Sequence, residues 1–273
     1  MDLWSVPPRD VRPVLPSERA DLVHLLSSLD DAQWRAPTAA PGWTVKDVAL
    51  HLLDDDLGWL SRDRDGDSSG LLPMGDHDTF VQALAAKNQR WVDGAHGLSR
   101  DVVVGLLTWA GEQMDEYYDR MDLTGRGHVS WAGGDVPAWF DIEQDLTERW
   151  VHQQQIRRAV GVDDGYAARY LPTVLHTFVW AFPAQYGPEA PHGTTVGLHL
   201  GAGPGWTLTR AAGAWTLDEG FPTDPVAALR APAETSWLLL TGALSTADTD
   251  QSVELHGDTH LAAPLRQVRA IIV

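Results

Sequence analysis

A change in the spacing of apolar residues divides this chain and limits what it can fold into. Up to about residue 160 the apolar positions recur with helical period, whereas from Gly193 onward short runs separated by glycine-rich turns take over. Leu15, Leu22, Leu25, Leu26 and Leu29 mark a first helix over 14–35, with Ser17 as its cap before Glu18. Further helices are expected over 45–60, 79–92, 99–121 and 136–160. The Asp, Ser and Gly-rich stretch 61–78 reads as an exposed loop that includes His77. A helical stretch over 171–186, broken by Pro183, then joins the halves. Strands are expected over 194–200, 206–210, 214–217, 252–255 and 268–273, with short helices over 234–244 and 260–266. The fold class is therefore α+β in two domains, a helical bundle over 1–165 and a small α+β domain over 166–273.

Composition narrows the chemistry. The 273 residues are 44% hydrophobic, enough for a full core, and contain no cysteine, which excludes disulfides and thiolate metal sites. Any thiol in the reaction must arrive as a substrate. The formal charge of −18, with Lys46 and Lys87 the only lysines, argues against a nucleic-acid partner, because phosphate binding needs clustered cations. No apolar run is long enough to span a bilayer and the first residues lack the pattern of a signal peptide, so a cytoplasmic protein without a membrane partner is expected. Few lysines beside abundant Ala, Gly and Asp resemble the composition of high-GC actinobacterial proteins. The oligomeric state is not encoded in any of these features.

Two segments carry the candidate chemistry. In Pro41-Gly42-Trp43-Thr44-Val45-Lys46-Asp47, Thr44 and Asp47 have the spacing of a capping box, which starts a helix and puts His51 in its second turn. In Glu148-Arg149-Trp150-Val151-His152, the acid and the imidazole are four residues apart and share a helix face. Together they offer three ligands of the type used by open catalytic metal sites. Periodicity alone favours a plainer reading: Asp141, Asp145, Glu148, His152 and Gln155 form a stripe opposite Trp139, Ile142, Leu146 and Trp150, and such a stripe is ordinarily the wet face of a helix.

These segments, with Ile156 through Gly161, Trp237-Leu238-Leu239-Leu240-Thr241-Gly242 and His256-Gly257-Asp258, resemble the mycothiol-dependent maleylpyruvate isomerase family. The resemblance implies a DinB-like four-helix bundle followed by an α+β, sterol-carrier-like domain. It places zinc or another divalent metal on His51, Glu148 and His152, and makes mycothiol the cosubstrate for isomerisation of, or transfer to, a small electrophile. A departure stands at Gln155, where similar proteins often have Asp; a changed residue there alters the hydrogen bonding behind a ligand. Metal-bound water without a thiol, and a non-catalytic binding bundle, are the rival readings.

Other residues have weaker signals. Asp54-Asp55-Asp56 reads as a solvated acidic run, with Asp55 one turn from His51 as a further carboxylate at the metal. Lys87, Arg90 and Arg157 are candidates for holding a substrate carboxylate. His176, His199, His256 and His260 receive no role, and Gly201-Ala202-Gly203-Pro204-Gly205 reads as a turn rather than a phosphate loop.

Overall fold

The computed structural model describes residues 3–70, 72, 77–127, 136–201 and 203–270, and several of its helix starts follow from local capping chemistry. Leu15–Ser28 is α1, Asp31–Trp34 is α2 and Val45–Trp59 is α3. At α3, Asp47 Oδ2 accepts the Thr44 N–H at 2.9 Å while Thr44 Oγ1 accepts the Asp47 N–H, so the expected capping box forms. A second box, Asp30 with Gln33, starts α2 and ends the continuous helix expected over 14–35. Ser17 is not the cap of α1: Val14 precedes the helix without a side-chain cap, and Glu18 turns into the interior.

The expected loop over 61–78 is also corrected. Leu60–Arg64 continues α3 as a π turn and Ser68–Gly70 forms a 3-10 turn, while His77–Ala95 is α4, so His77 opens a helix. Residues 71 and 73–76 of that stretch lie outside the described residues. Arg100–Asp119 is α5 and Ala138–Val160 is α6. Then follow α7 (Tyr166–Phe178) and α8 (Ala181–Gln185), with the interruption at Val179 and Trp180 rather than at Pro183. Pro183 falls within the first turn of α8, where its missing N–H costs nothing.

Two compact units result, 9–125 with 148–167, and 1–8 with 126–147 and 168–273. Their division falls inside α6, between Thr147 and Glu148. In the first unit, α1 and α3 pack on α5, and α4 packs on α3. Its core contains Leu22, Leu25, Leu26, Val45, Val48, Leu52, Leu107 and Ile156. In the second, Thr177 of α7 donates to Glu143 Oε2 at 3.0 Å, and Trp139 and Phe140 lie edge to face. That buried contact explains why the front half of α6 groups with α7.

The second unit also carries a mixed sheet of β1 (Thr195–Leu200), β2 (Trp206–Arg210), β3 (Trp215–Glu219), β4 (Ala227–Ala231) and β5 (Glu254–Gly257) in the order β3-β2-β1-β4-β5. β1 and β4 are parallel and the other pairs antiparallel. Ala233–Leu240 is α9, Thr246–Ser252 is α10 and Thr259–Ala262 is α11. β4 and α10 were absent from the sequence reading. The first is alanine-rich, with no β-branched residue, and the second has no apolar stripe. No strand forms over 268–270, and 271–273 lie outside the described residues. Gly257, in the noted His256-Gly257-Asp258 segment, has φ +79°, and a Cβ there would stand 2.1 Å from Val226 O, so only glycine fits.

Candidate functional site

The stripe on α6 is not a wet face. Asp141, Asp145, His152 and Gln155 are buried, as are Trp139 and Trp150 opposite, so the helix is enclosed on both sides. Polar side chains in such a position need partners, and the described residues supply several of them. Gln153 Nε2 donates to Glu18 Oε1 at 2.6 Å and Tyr166 Oη donates to the same oxygen at 3.1 Å. Burial pushes the Glu18 carboxyl above its ordinary range, against the lowering effect of the Arg149 and Arg19 charges and of those two hydrogen bonds.

The acidic run on α3 is likewise corrected from solvated to paired. Asp56, 2% exposed, receives Arg19 Nη2 at 2.8 Å and Arg149 Nη2 at 3.2 Å. Asp54 binds Lys87 Nζ at 2.6 Å, which answers the Lys87 charge with a carboxylate of the chain itself. Only Asp55 of the three turns toward the candidate ligands, with Oδ2 3.4 Å from His51 Nε2. Arg90 is exposed. Arg157 is buried against Asp164 at 2.6 Å and Gln153 at 3.2 Å, with its guanidinium 4.2 Å from the Tyr166 ring centroid, so it secures the end of α6.

His51 and His152 meet. Their ring centroids are 4.7 Å apart at an interplanar angle of 86°, and both side chains are buried. Trp43, the residue before the Thr44 cap, places its ring 5.1 Å from His51. Burial, followed by the nearby His152 and Lys87, holds the His51 imidazolium well below its ordinary pKa, so the ring is neutral at neutral pH. Its Nδ1 is buried with no hydrogen-bond partner among the described residues. The other ring is oriented from behind, with His152 Nδ1 2.9 Å from Gln155 Oε1. An amide oxygen can only accept, so Nδ1 is the donor in this contact and Nε2 is the ring nitrogen that Gln155 leaves free to face outward from it. That Nε2 lies 3.5 Å from Glu148 Oε2.

Two imidazoles and a carboxylate from α3 and α6 are the residue types that an open zinc site uses. The buried Nδ1 without a partner and the Gln155-oriented Nε2 are donor atoms suited to a cation. Among the described residues no three His, Asp or Glu side chains already stand in ligating geometry; the half-exposed Glu148 instead faces His152. The three residue types are ones a divalent cation accepts, and two of them, His51 and His152, already meet. Sequence reasoning missed the roles of Trp43 and Gln153, although the position of Trp43 beside the cap offered a clue to the former.

The profile of the mycothiol maleylpyruvate isomerase N-terminal domain matches residues 15–157. Two uncharacterized proteins of Mycobacterium tuberculosis, Rv0036c of strain H37Rv and MT0041 of strain CDC 1551, are each 28% identical over 153 residues, 54% of this chain and 55% of theirs. The chain thus spans about half the length of the curated relatives it matches. Crystal structures of the mycothiol-dependent maleylpyruvate isomerase and of a histidine-to-alanine mutant of it align with TM-score 0.58 at 13% identity, covering 96% of this chain and 99% of theirs. At that identity they establish a shared α+β fold. The profile match extends over more than half of the 273 residues, from the start of α1 almost to the end of α6, and by it the chain belongs to the mycothiol maleylpyruvate isomerase N-terminal domain family.

Proposed function

We propose that this chain is a thiol-dependent isomerase of a small electrophilic acid of the maleylpyruvate kind, with mycothiol as cosubstrate and a divalent cation, zinc foremost, held by His51, Glu148 and His152. The observation that carries this reading is the meeting of His51 and His152, buried with centroids 4.7 Å apart and with Glu148 one turn before the second histidine. The bound cation would supply the charge that stabilises a thiolate at neutral pH.

The chain's own residues serve that chemistry in definite ways. Burial keeps the His51 lone pair available, and Gln155 orients the His152 ring from behind. Trp43 covers one side of His51. In such a reaction a thiolate would add to the alkene carbon β to a carbonyl, the π electrons would move into an enolate, the resulting single bond could rotate, and re-forming the carbonyl would expel the same thiolate. Without a cysteine, the protein supplies no competing sulfur nucleophile. All three ligands fall within 1–165, which we assign as the metal-binding domain, with 166–273 as the second. A cytoplasmic setting, where thiols are kept reduced, suits a thiol cosubstrate; no helix among the described residues is long and apolar enough to cross a membrane.

Elemental analysis of protein purified without a nickel column tests the site, comparing the parent with His51→Ala and Glu148→Ala. Near-stoichiometric metal in the parent, lost in both variants, is the expected result; a parent that stays metal-free after zinc loading would refute it. Isomerisation that needs mycothiol without consuming it separates an isomerase from a transferase, in which thiol disappears with turnover.

A further inference from the structure

A cation in the sheet unit stands apart from that chemistry. Strand register aligns His199 of β1 with Arg230 of β4, and Arg230 with Glu254 of β5, so the three side chains form a row on one sheet face. Phe221 lies beside the row, its ring filling the space over Gly197, where a Cβ would come within 2.6 Å of it. The Arg230 guanidinium carbon sits 4.3 Å from the Phe221 ring centroid, a cation–π contact that fixes the plane of the fork. The His199 ring is 6.3 Å from Phe221.

Arg230 is half-buried yet has no hydrogen bond or ion pair among the described residues, in a chain with 38 acidic residues. Most of the half-buried and buried arginines here reach a carboxylate or a carbonyl, as Arg19, Arg210 and Arg266 do. Glu254 is the nearest candidate partner in register, but its carboxylate reaches His256 at 3.3 Å and is mostly exposed. Beside Arg230 is a concavity of about 230 Å³, bounded by His199, Gly201, Pro232, Ser252 and Glu254. This is below the roughly 300–1,000 Å³ of pockets for drug-sized ligands. It suits a compact group.

We propose that this concavity is a binding site for a small oxyanion, a carboxylate or a phosphate, taken by the Arg230 fork with His199 and Ser252 as flanking hydrogen-bond donors. A guanidinium presents parallel N–H groups that match either anion bidentately. Phe221 serves as its platform. Glu254 on one wall favours a ligand that carries a hydroxyl or ammonium group next to its anionic end. The net charge of −18 gives no general attraction for anions, so binding depends on this local cation.

The test is calorimetric titration of the full chain at low ionic strength with inorganic phosphate and, separately, with succinate and malate. The expected result is saturable binding of at least one probe, weakened roughly tenfold or more in Arg230→Gln, with Arg120→Gln, at an exposed helix end, as a control that leaves it unchanged. A preference for phosphate or for the carboxylates identifies the source of the oxyanion. Because Arg230→Gln keeps the stem of the side chain and an unchanged melting temperature verifies its fold, lost binding reports on the site. No saturable binding by any probe, or equal loss in both variants, would overturn the proposal. These readouts involve no metal or thiol, so they succeed or fail independently of the isomerase reading.

Discussion

Replacing Asp56 by Asn tests how the first unit holds its charges. The Asp56 carboxylate is 2% exposed and bonds two guanidiniums, Arg19 at 2.8 Å and Arg149 at 3.2 Å, whose side chains are 7% and 3% exposed. The amide is nearly isosteric but removes the only negative charge of this triad. Breaking a buried pair from one side costs about 3–5 kcal/mol, because the remaining charges stay desolvated and lose a partner. Against a typical total stability of roughly 5–15 kcal/mol this is a large share. At about 2–4 °C per kcal/mol for a domain of this size, the expected fall in Tm is roughly 6–20 °C. Urea unfolding followed by far-UV circular dichroism measures it at pH 7, with Asp54→Asn as the comparison, since the Lys87 partner is 31% exposed and that pair contributes about 1 kcal/mol or less. Adding Arg19→Met to Asp56→Asn should recover part of the loss. A cost below about 1 kcal/mol for Asp56→Asn, equal to that of Asp54→Asn, would show that the buried-network reasoning is wrong.

Three further outcomes are expected. Gln155→Leu removes the acceptor behind His152 and should weaken zinc affinity by about 10–100-fold, whereas Gln155→Glu retains an acceptor and should bind at least as tightly as the parent; competition with a chromogenic chelator measures both, and equal affinities in all three proteins would contradict the orienting role. Because the folded-state pKa of His51 lies below its unfolded value near 6.5, the unfolded chain takes up the proton first. Metal-free protein should therefore lose stability as pH falls below about 6.5, and His51→Gln should reduce that loss; identical urea midpoints against pH for the two would count against it. Gly257→Ala should destabilise the sheet unit by more than about 1 kcal/mol, because φ is +79° and the new Cβ meets Val226 O; an unchanged thermal midpoint would contradict this.

The major helices were legible because each carries its own punctuation. The Thr44 and Asp47 spacing led to the start of α3, and Gly161 with Arg157 and Arg158 marked the end of α6, where Gly161 has φ +69°. The break at Asp30 was written in the same code, since Asp30 and Gln33 have capping-box spacing, but the leucine period running across it concealed it. β4 escaped notice for another reason: its residues are small and fit the sheet through their neighbours, information a strand does not contain by itself. The two histidines could be named from the chain, but not the partners that keep their surroundings dry. Asp54, Asp55 and Asp56 look equivalent in one dimension, and only tertiary packing sends them to Lys87, His51 and the buried arginines respectively.

The reciprocal cap at Thr44 acts as the zero mark of a ruler. His51 lies seven residues beyond it, and each residue turns the helix by about 100°. Deleting one residue between the two would swing the imidazole about 100° away from His152 while leaving the helix itself intact. On the other side of the mark, Gly42 has φ +80° and open space around the position of a Cβ. A residue added there lengthens a turn without moving the ring. Length variation among functional relatives should therefore gather before Thr44 and be missing between Thr44 and His51.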